Sequence, residues 1–337
     1  MMVANIISPI LTNKPSDMLY MLAVQCIPAG VAVTMATFGW WSSAPPSPPS
    51  PSADAESESF LVGLKALARN RQYYLLAWAI GGGIALFSVF TTLLSQILCP
   101  WGYTDSYVGV VCGSALIGAG FVGSAIAGFI VDKTKRFIEV TKLCYALAIV
   151  ALVVFAVMHN KANQWVVLTC MCGLFGFFSI PVYPIGNELA VETTYPVGEA
   201  TSSGIVFMSG IYTLYSVPWY CIHGEVNLFK WFVNQLQGLI LILLLQSIGT
   251  NLDPKPTTDK CTSENLGDIP VQDMSVPVYV MTGYGGFIAL VYIIFFRTEY
   301  KRLHADKCKN ESEESSENDI DNEAYIKENQ TDKVATI

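Results

Sequence analysis

Residues 107–131 carry no charged side chain, and the run stops abruptly at Asp132-Lys133-Thr134-Lys135-Arg136. An apolar run of this length spans a bilayer core of about 30 Å as a helix. Hydrocarbon offers no water to backbone groups, so a helix that closes its own hydrogen bonds is the form such a run takes. Gly120, Ser124 and Gly128 stand at i, i+4 and i+8. That spacing predicts a face of small residues where a second helix backbone approaches closely. The basic cluster is of the kind retained on the cytoplasmic side. Another apolar run, 140–158, follows it, so the stretch reads as two spans joined by a tight cytoplasmic turn.

The rest of the chain repeats this theme. Residues 1–11 are apolar but too short to cross, and with the polar turn at 12–17 they read as the tail of a helix. Residues 18–41 are uncharged and cross once, with Pro28 as a kink and Trp40 and Trp41 at the interface. Residues 42–71 form a Pro/Ser-rich linker that cannot build a core and turns basic at Lys65, Arg69 and Arg71. A bundle is expected over 72–296. Its spans are 73–98, opening through Gly81-Gly82-Gly83, then 107–131, 140–158, 165–187, one from about 200 to 248, and 276–296. Pro181 and Pro184 break the second half of the 165–187 run, residues 188–198 read as a polar turn, and 251–273 as a polar loop. Residues 297–337 form an acidic tail with the composition of a disordered segment.

A chain of 337 residues with 52% hydrophobic and 14% charged side chains has the composition of an all-α polytopic membrane protein. Most of the formal charge of −8 comes from about the last 35 residues. The nine cysteines form no CxxC pair, and only Cys99 and Cys261 are placed for a lumenal disulfide. The three scattered histidines make no metal cluster, and nothing calls for a cofactor. No secretory signal peptide is read at 1–11. HExxH, GxSxG and phosphate-loop patterns are absent, which argues against an enzyme and leaves no catalytic residues to name. The basic residues sit in short turns, so nucleic acid is not an expected partner.

Those basic residues also set an orientation. Lys65, Arg69, Arg71, Lys133, Lys135, Arg136, Arg297, Lys301 and Arg302 fall on one side of the alternating spans, against Lys14, Lys161, Lys255 and Lys260 on the other. The first side is therefore expected in the cytoplasm, together with the linker and the C-terminus. The sequons at Asn310 and Asn329 would then stay unmodified. Plasma membrane and endomembrane are both open. Residues 211–234, with Pro218, His223, Glu225 and Lys230, interrupt the span expected between 200 and 248. Their removal leaves one well-formed helix. They read as an unspliced intron or as a lineage-specific insertion.

The segment Gly128-Phe129-Ile130-Val131-Asp132-Lys133-Thr134-Lys135-Arg136 resembles the GxxxDRxGR-type loop of the major facilitator superfamily, with Lys133 for the usual arginine and Lys135 for the usual glycine. RNRQYYLLAWAIGGGIALFS, ELAVETTYPVGEATSSGIVF and the early ISPIL, IPAG and PPSPPS strings resemble solute carrier family 49, the feline leukaemia virus subgroup C receptor-related family. The resemblance covers nearly the whole chain apart from 211–234 and the tail. It implies the C-terminal half, about helices 6–12, of a bundle whose two halves enclose a solute pathway at the bilayer midplane. It also implies an N-terminally truncated form.

From the resemblance, Asp132 and Arg136 are candidates for a conformational gate, the alternative being a loop that only anchors two helix ends. Glu188 and Glu192 lie one helical turn apart. Carboxylates at membrane depth are costly and therefore functional candidates, unless they reach water at the helix end. Phe87, Phe90 and Gln96, on the glycine-opened span, and Gln235, in the penultimate one, are the implied cavity residues. The implied function is a secondary carrier of a small organic solute: a choline-like amine, haem or a vitamin-type compound. An amine would favour aromatic rings for cation–π contact, but Ser88 stands where relatives can carry tyrosine. The alternative is a truncated, non-transporting isoform that associates with a full-length relative.

Overall fold

Every regular element among the described residues is a helix, as hydrocarbon-spanning backbone requires. The computed structural model describes residues 18–39, 60–104, 106–161, 163–212, 245, 274–305 and 308. The Pro/Ser tract, Cys261, Gln235, nearly all of 211–234 and both sequons lie outside these residues. Helix α1 covers Met18–Gly39, α2 Phe60–Leu67 and α3 Arg71–Leu98. A π-helical turn at Tyr107–Cys112 leads into α4, Gly113–Thr134, followed by α5, Phe137–Met158. Then come α6 (Trp165–Ser179), α7 (Val182–Thr194), α8 (Glu199–Tyr212) and α9 (Ser275–Phe295). Among the described residues six helical stretches are long and apolar enough to cross a membrane, and the protein is a multi-pass integral membrane protein.

Between helices in lipid there is little hydrophobic drive, so close backbone packing has to supply the contact. The α4–α6 crossing does this through glycine. A Cβ on Gly176 would stand 2.7 Å from the Leu116 carbonyl carbon, and one on Gly123 would stand 2.9 Å from that of Phe177. One on Gly120 would meet the Gly176 carbonyl oxygen at 3.0 Å. The close face is thus Gly120 and Gly123, at i and i+3. The expected partners Ser124 and Gly128 are not part of it: Ser124 is half-buried, and a Cβ on Gly128 would meet nothing within 4 Å. A helix face follows both i+3 and i+4 neighbours, and the facing Gly176 selects the i+3 row.

Helix α3 is the most enclosed span. Its glycine triad admits two neighbours: a Cβ on Gly82 would strike Ile288 Cδ1 of α9 at 2.5 Å, and one on Gly83 would stand 3.0 Å from Tyr145 Cζ of α5. Asn70 caps α3, its side-chain oxygen accepting the Gln72 and Tyr73 N–H groups at 3.1 and 3.2 Å. The Tyr73 hydroxyl donates to the Ser202 carbonyl at 2.6 Å and ties α3 to α8. At the opposite end the Tyr103 hydroxyl donates to the Lys161 carbonyl at 2.8 Å and that of Tyr107 to the Trp165 carbonyl at 2.6 Å. Cys99 is disulfide-bonded, with its partner outside the described residues. Helix α1 contributes nothing buried.

The α4–α5 turn is two residues long, and its Lys135 has φ +54°, a left-handed conformation at a helix end. That conformation favours glycine, the residue usual at this place in the loop the segment resembles. Pro181 sits at the break between α6 and α7, and α7 continues through Glu188 and Glu192 to Thr194, beyond the expected turn at 188.

Gly176→Ala should destabilise the bundle by about 1–3 kcal/mol, because backbone atoms on α4 cannot yield. Gly128→Ala in the same crossing pair should be neutral within about 0.5 kcal/mol. Thermal unfolding of detergent-purified protein compares the two. In the same assay Lys135→Gly should raise the unfolding midpoint by roughly 1–3 °C, as relief of a left-handed side chain outweighs the added freedom of the unfolded glycine.

Candidate functional site

Most spans expose aliphatic and aromatic side chains, as lipid contact demands. Helix α4 presents Phe121, Val122, Ile126 and Phe129, and α9 presents Phe287, Leu290 and Ile294. The second half of α3 does not. Ser88, Thr91, Thr92 and Gln96 are exposed and Ser95 is partly so, whereas Val89, Phe90, Leu93, Leu94 and Ile97 are buried. At 3.6 residues per turn the five polar positions fall within an arc of about 140°, over a length of about 12 Å. The buried residues occupy the opposite side.

The chemistry of this stripe is that of an acceptor surface. The Thr91 hydroxyl donates to the Phe87 and Ser88 carbonyls, each at 3.0 Å, and that of Thr92 donates to the Ser88 carbonyl at 2.7 Å. Donors spent inside the helix leave oxygen lone pairs facing outward. Back-bonded hydroxyls alone tolerate lipid. The exposed Gln96 amide does not, since an amide in hydrocarbon without partners costs several kcal/mol. The face is therefore built to meet water, solute or another polar surface.

Phe87 and Phe90 point the other way. Phe87 stacks on Phe175 at 6.1 Å between ring centroids and meets Tyr183 edge-on at 5.9 Å. Phe90 is fully buried between Phe155 and Phe175, at 5.0 and 4.8 Å. Of the implied cavity residues, the structure places Gln96 on the exposed stripe and the two rings in the core, while Gln235 lies outside the described residues. Next to the rings a small cavity of about 20 Å³, room for one water, is bordered by Gly83, Tyr145, Ser179 and Tyr183. Ser88, Thr91, Thr92 and Ser95 complete the stripe. Their signal in the sequence is hydroxyl side chains at helical spacing inside an apolar span.

The gating candidates divide similarly. Asp132 and Arg136 are both exposed, and neither makes an ion pair among the described residues. Glu188 is exposed as well. Glu192 is buried, and its Oε2 accepts the Leu303 backbone N–H at 3.1 Å, holding the helical turn at 301–305 against the α7–α8 junction. Beside it Arg302 pairs with Glu199 at 2.8 Å. The Tyr300 hydroxyl accepts the Ile138 N–H at 3.2 Å, and burial raises its phenol above the ordinary value, so it stays neutral at physiological pH. Lys142 Nζ donates to the Ile293 and Phe296 carbonyls, each at 2.8 Å, closing the end of α9. No group of three His, Cys, Asp or Glu side chains among the described residues is placed to hold a metal.

A model of the Major Facilitator Superfamily matches residues 1–216. The chain belongs to that superfamily. It is 38% identical to Solute carrier family 49 member A3 of Danio rerio and 36% identical to that of Xenopus tropicalis. These matches cover 91% and 90% of this chain and 58% of each relative, so the chain spans under two thirds of their length. The Choline/ethanolamine transporter FLVCR2 of Homo sapiens is 33% identical over 45% of this chain and 28% of its own. These relatives are named as a solute carrier and as a choline/ethanolamine transporter.

Glu192→Ala should free the 301–305 turn and raise trypsin cleavage after Lys301 and Arg302 about tenfold, since a buried charged hydrogen bond contributes about 1.5–3 kcal/mol. Glu188→Ala should leave the cleavage rate unchanged.

Proposed function

We propose that the protein contributes the C-terminal wall of a secondary carrier for a small organic solute bearing hydroxyl or amine groups. The observation that carries this reading is the exposed polar stripe of α3, Ser88 to Gln96, on a membrane span. It supplies oxygen acceptors and one amide, the groups that orient a hydroxyl or a protonated amine. The choline and ethanolamine named for the relatives fit this description. Phe87 and Phe90 do not join such a site directly, because their rings are inside the bundle; they support the stripe from behind. Haem fits less well, since no stripe residue is an iron ligand. Gln235 remains a proposed member of the same wall. Asp132, Arg136, Glu188 and Glu192 are proposed to act on conformation, with Glu192 as the strongest of them because it alone is buried and bonded.

The lack of any buried residue among the described side chains of α1 favours a second reading, a non-transporting form that pairs with a full-length relative. Uptake of radiolabelled ethanolamine and choline by cells making this chain separates the two. The carrier reading expects saturable uptake, and Gln96→Ala should lower it about tenfold, the effect of one lost solute hydrogen bond. Ser88→Ala should lower it by a smaller factor. Uptake equal to that of untransfected cells, with co-purification of a full-length relative, would decide for the second reading.

A further inference from the structure

The end of the bundle that carries the basic residues holds a second, larger cavity. It has a volume of about 360 Å³, within the range of ligand pockets, and lies where the α2–α3 corner, the α7–α8 junction and the segment after α9 meet. Arg69 and Lys301, 232 positions apart, both line it, with Asn70, Thr194, Tyr195 and Pro196. Among the described residues no carboxylate lines it. Two acids of the adjoining α7–α8 region are engaged elsewhere, Glu192 with the Leu303 N–H and Glu199 with Arg302. Arg69 and Lys301 make no ion pair among the described residues.

The helix leading into this corner has an unusual surface. Helix α2 buries Gly63 and Leu67, Gly63 so closely that a Cβ would stand 3.0 Å from Val197 Cγ1. Its first turn exposes Phe60, Leu61 and Val62 by 63, 74 and 53%. Three consecutive exposed apolar residues, followed by Lys65 and Arg69, have the composition of a helix lying in the headgroup region of a membrane. The positive-inside pattern is expected to set this basic end at the cytoplasmic leaflet, where the cavity would face acidic headgroups.

We propose that this cavity binds the phosphate group of an acidic phospholipid, held between Arg69 and Lys301 while Phe60, Leu61 and Val62 rest among the acyl chains. Arginine offers a two-pronged donor to phosphate and lysine a point charge, so the two cations grip it from both sides. Occupancy would bridge the α2–α3 corner to the segment that Glu192 clamps, tying the end of α9 to the start of α3. The proposal is independent of which solute the carrier moves.

The test is retention of phosphatidylinositol 4-phosphate by the full chain in phosphatidylcholine nanodiscs, read by native mass spectrometry or by lipid titration. The native chain should bind it well above phosphatidylcholine. Arg69→Ala with Lys301→Ala should weaken binding roughly 10- to 30-fold, the effect of two cations near an acidic surface. Both side chains are exposed, and the charge-keeping pair Arg69→Lys with Lys301→Arg should retain most of the binding. Phe60→Ser with Leu61→Ser should weaken lipid binding but leave that of soluble inositol phosphate unchanged. Equal lipid binding by the native chain and the double alanine variant would overturn the proposal. So would soluble inositol 1,4-bisphosphate binding as tightly as the lipid, which would make the cavity a site for free phosphate esters. Lipid binding that appears only after residues 309–337 are removed would overturn it too, and would assign the cavity to the acidic tail.

Discussion

Contact between helix backbones at glycine is the constraint on which the rest of this bundle depends. Lipid tails are as apolar as leucine, so the helices gain little from hiding side chains from lipid and must gain from packing. Gly176 against Leu116 and Gly123 against Phe177 bring α4 and α6 to backbone distance. Gly82 and Gly83 instead make room on α3 for side chains, one receiving Ile288 of α9 and the other Tyr145 of α5. With its neighbours this close, α3 can keep an apolar, ring-filled side entirely inward. The polar groups of its other side then have only one direction left.

That division underlies the proposed role of α3 as a solute-facing wall. Its buried side is fixed by Phe90 among Phe155 and Phe175. Its exposed side presents hydroxyls whose protons are already committed to helix carbonyls. A rigid helix with outward-facing acceptors suits a solute-facing wall better than a loop, because the groups are held in place before a solute arrives. The basic end of the bundle is fastened differently. There Glu192, Arg302, Tyr300 and Lys142 attach the segment after α9 to α5, α7 and α8 by hydrogen bonds and charge. The buried Glu192 bond dominates, since the exposed Arg302–Glu199 pair contributes at most about 1 kcal/mol.

Much of this was legible in the sequence. Uncharged runs and their basic turns mark the spans, because length and charge decide what lipid accepts. Burial direction was less legible. Phe87 and Phe90 read as cavity rings or as packing residues, and Phe155, Phe175 and Tyr183, contributed by other helices, decide between them. Gly120 has two small neighbours at helical spacing, and the choice of Gly123 over Ser124 depends on where Gly176 lies in a helix some fifty residues on. The extension of α7 past residue 188 depends on Leu303, 111 residues distant, which gives the Glu192 carboxylate a partner. Contacts of this kind leave no local trace. The hydroxyl spacing on α3 did leave one, hidden because serine and threonine are common in membrane spans and satisfy themselves.

A solute-facing wall requires that the Ser88–Gln96 face of α3 meet water inside the membrane. Single cysteines placed by Ser88→Cys, Thr92→Cys and Gln96→Cys, treated in intact membranes with a charged, water-soluble maleimide, test it most directly. Phe129→Cys on the apolar face of α4 and Phe90→Cys in the core serve as references. The account predicts labelling at the three α3 positions well above the parental chain and none at the two references. Stripe cysteines as unreactive as the one at position 129 would mean that the face meets lipid, and the solute-wall account would fail.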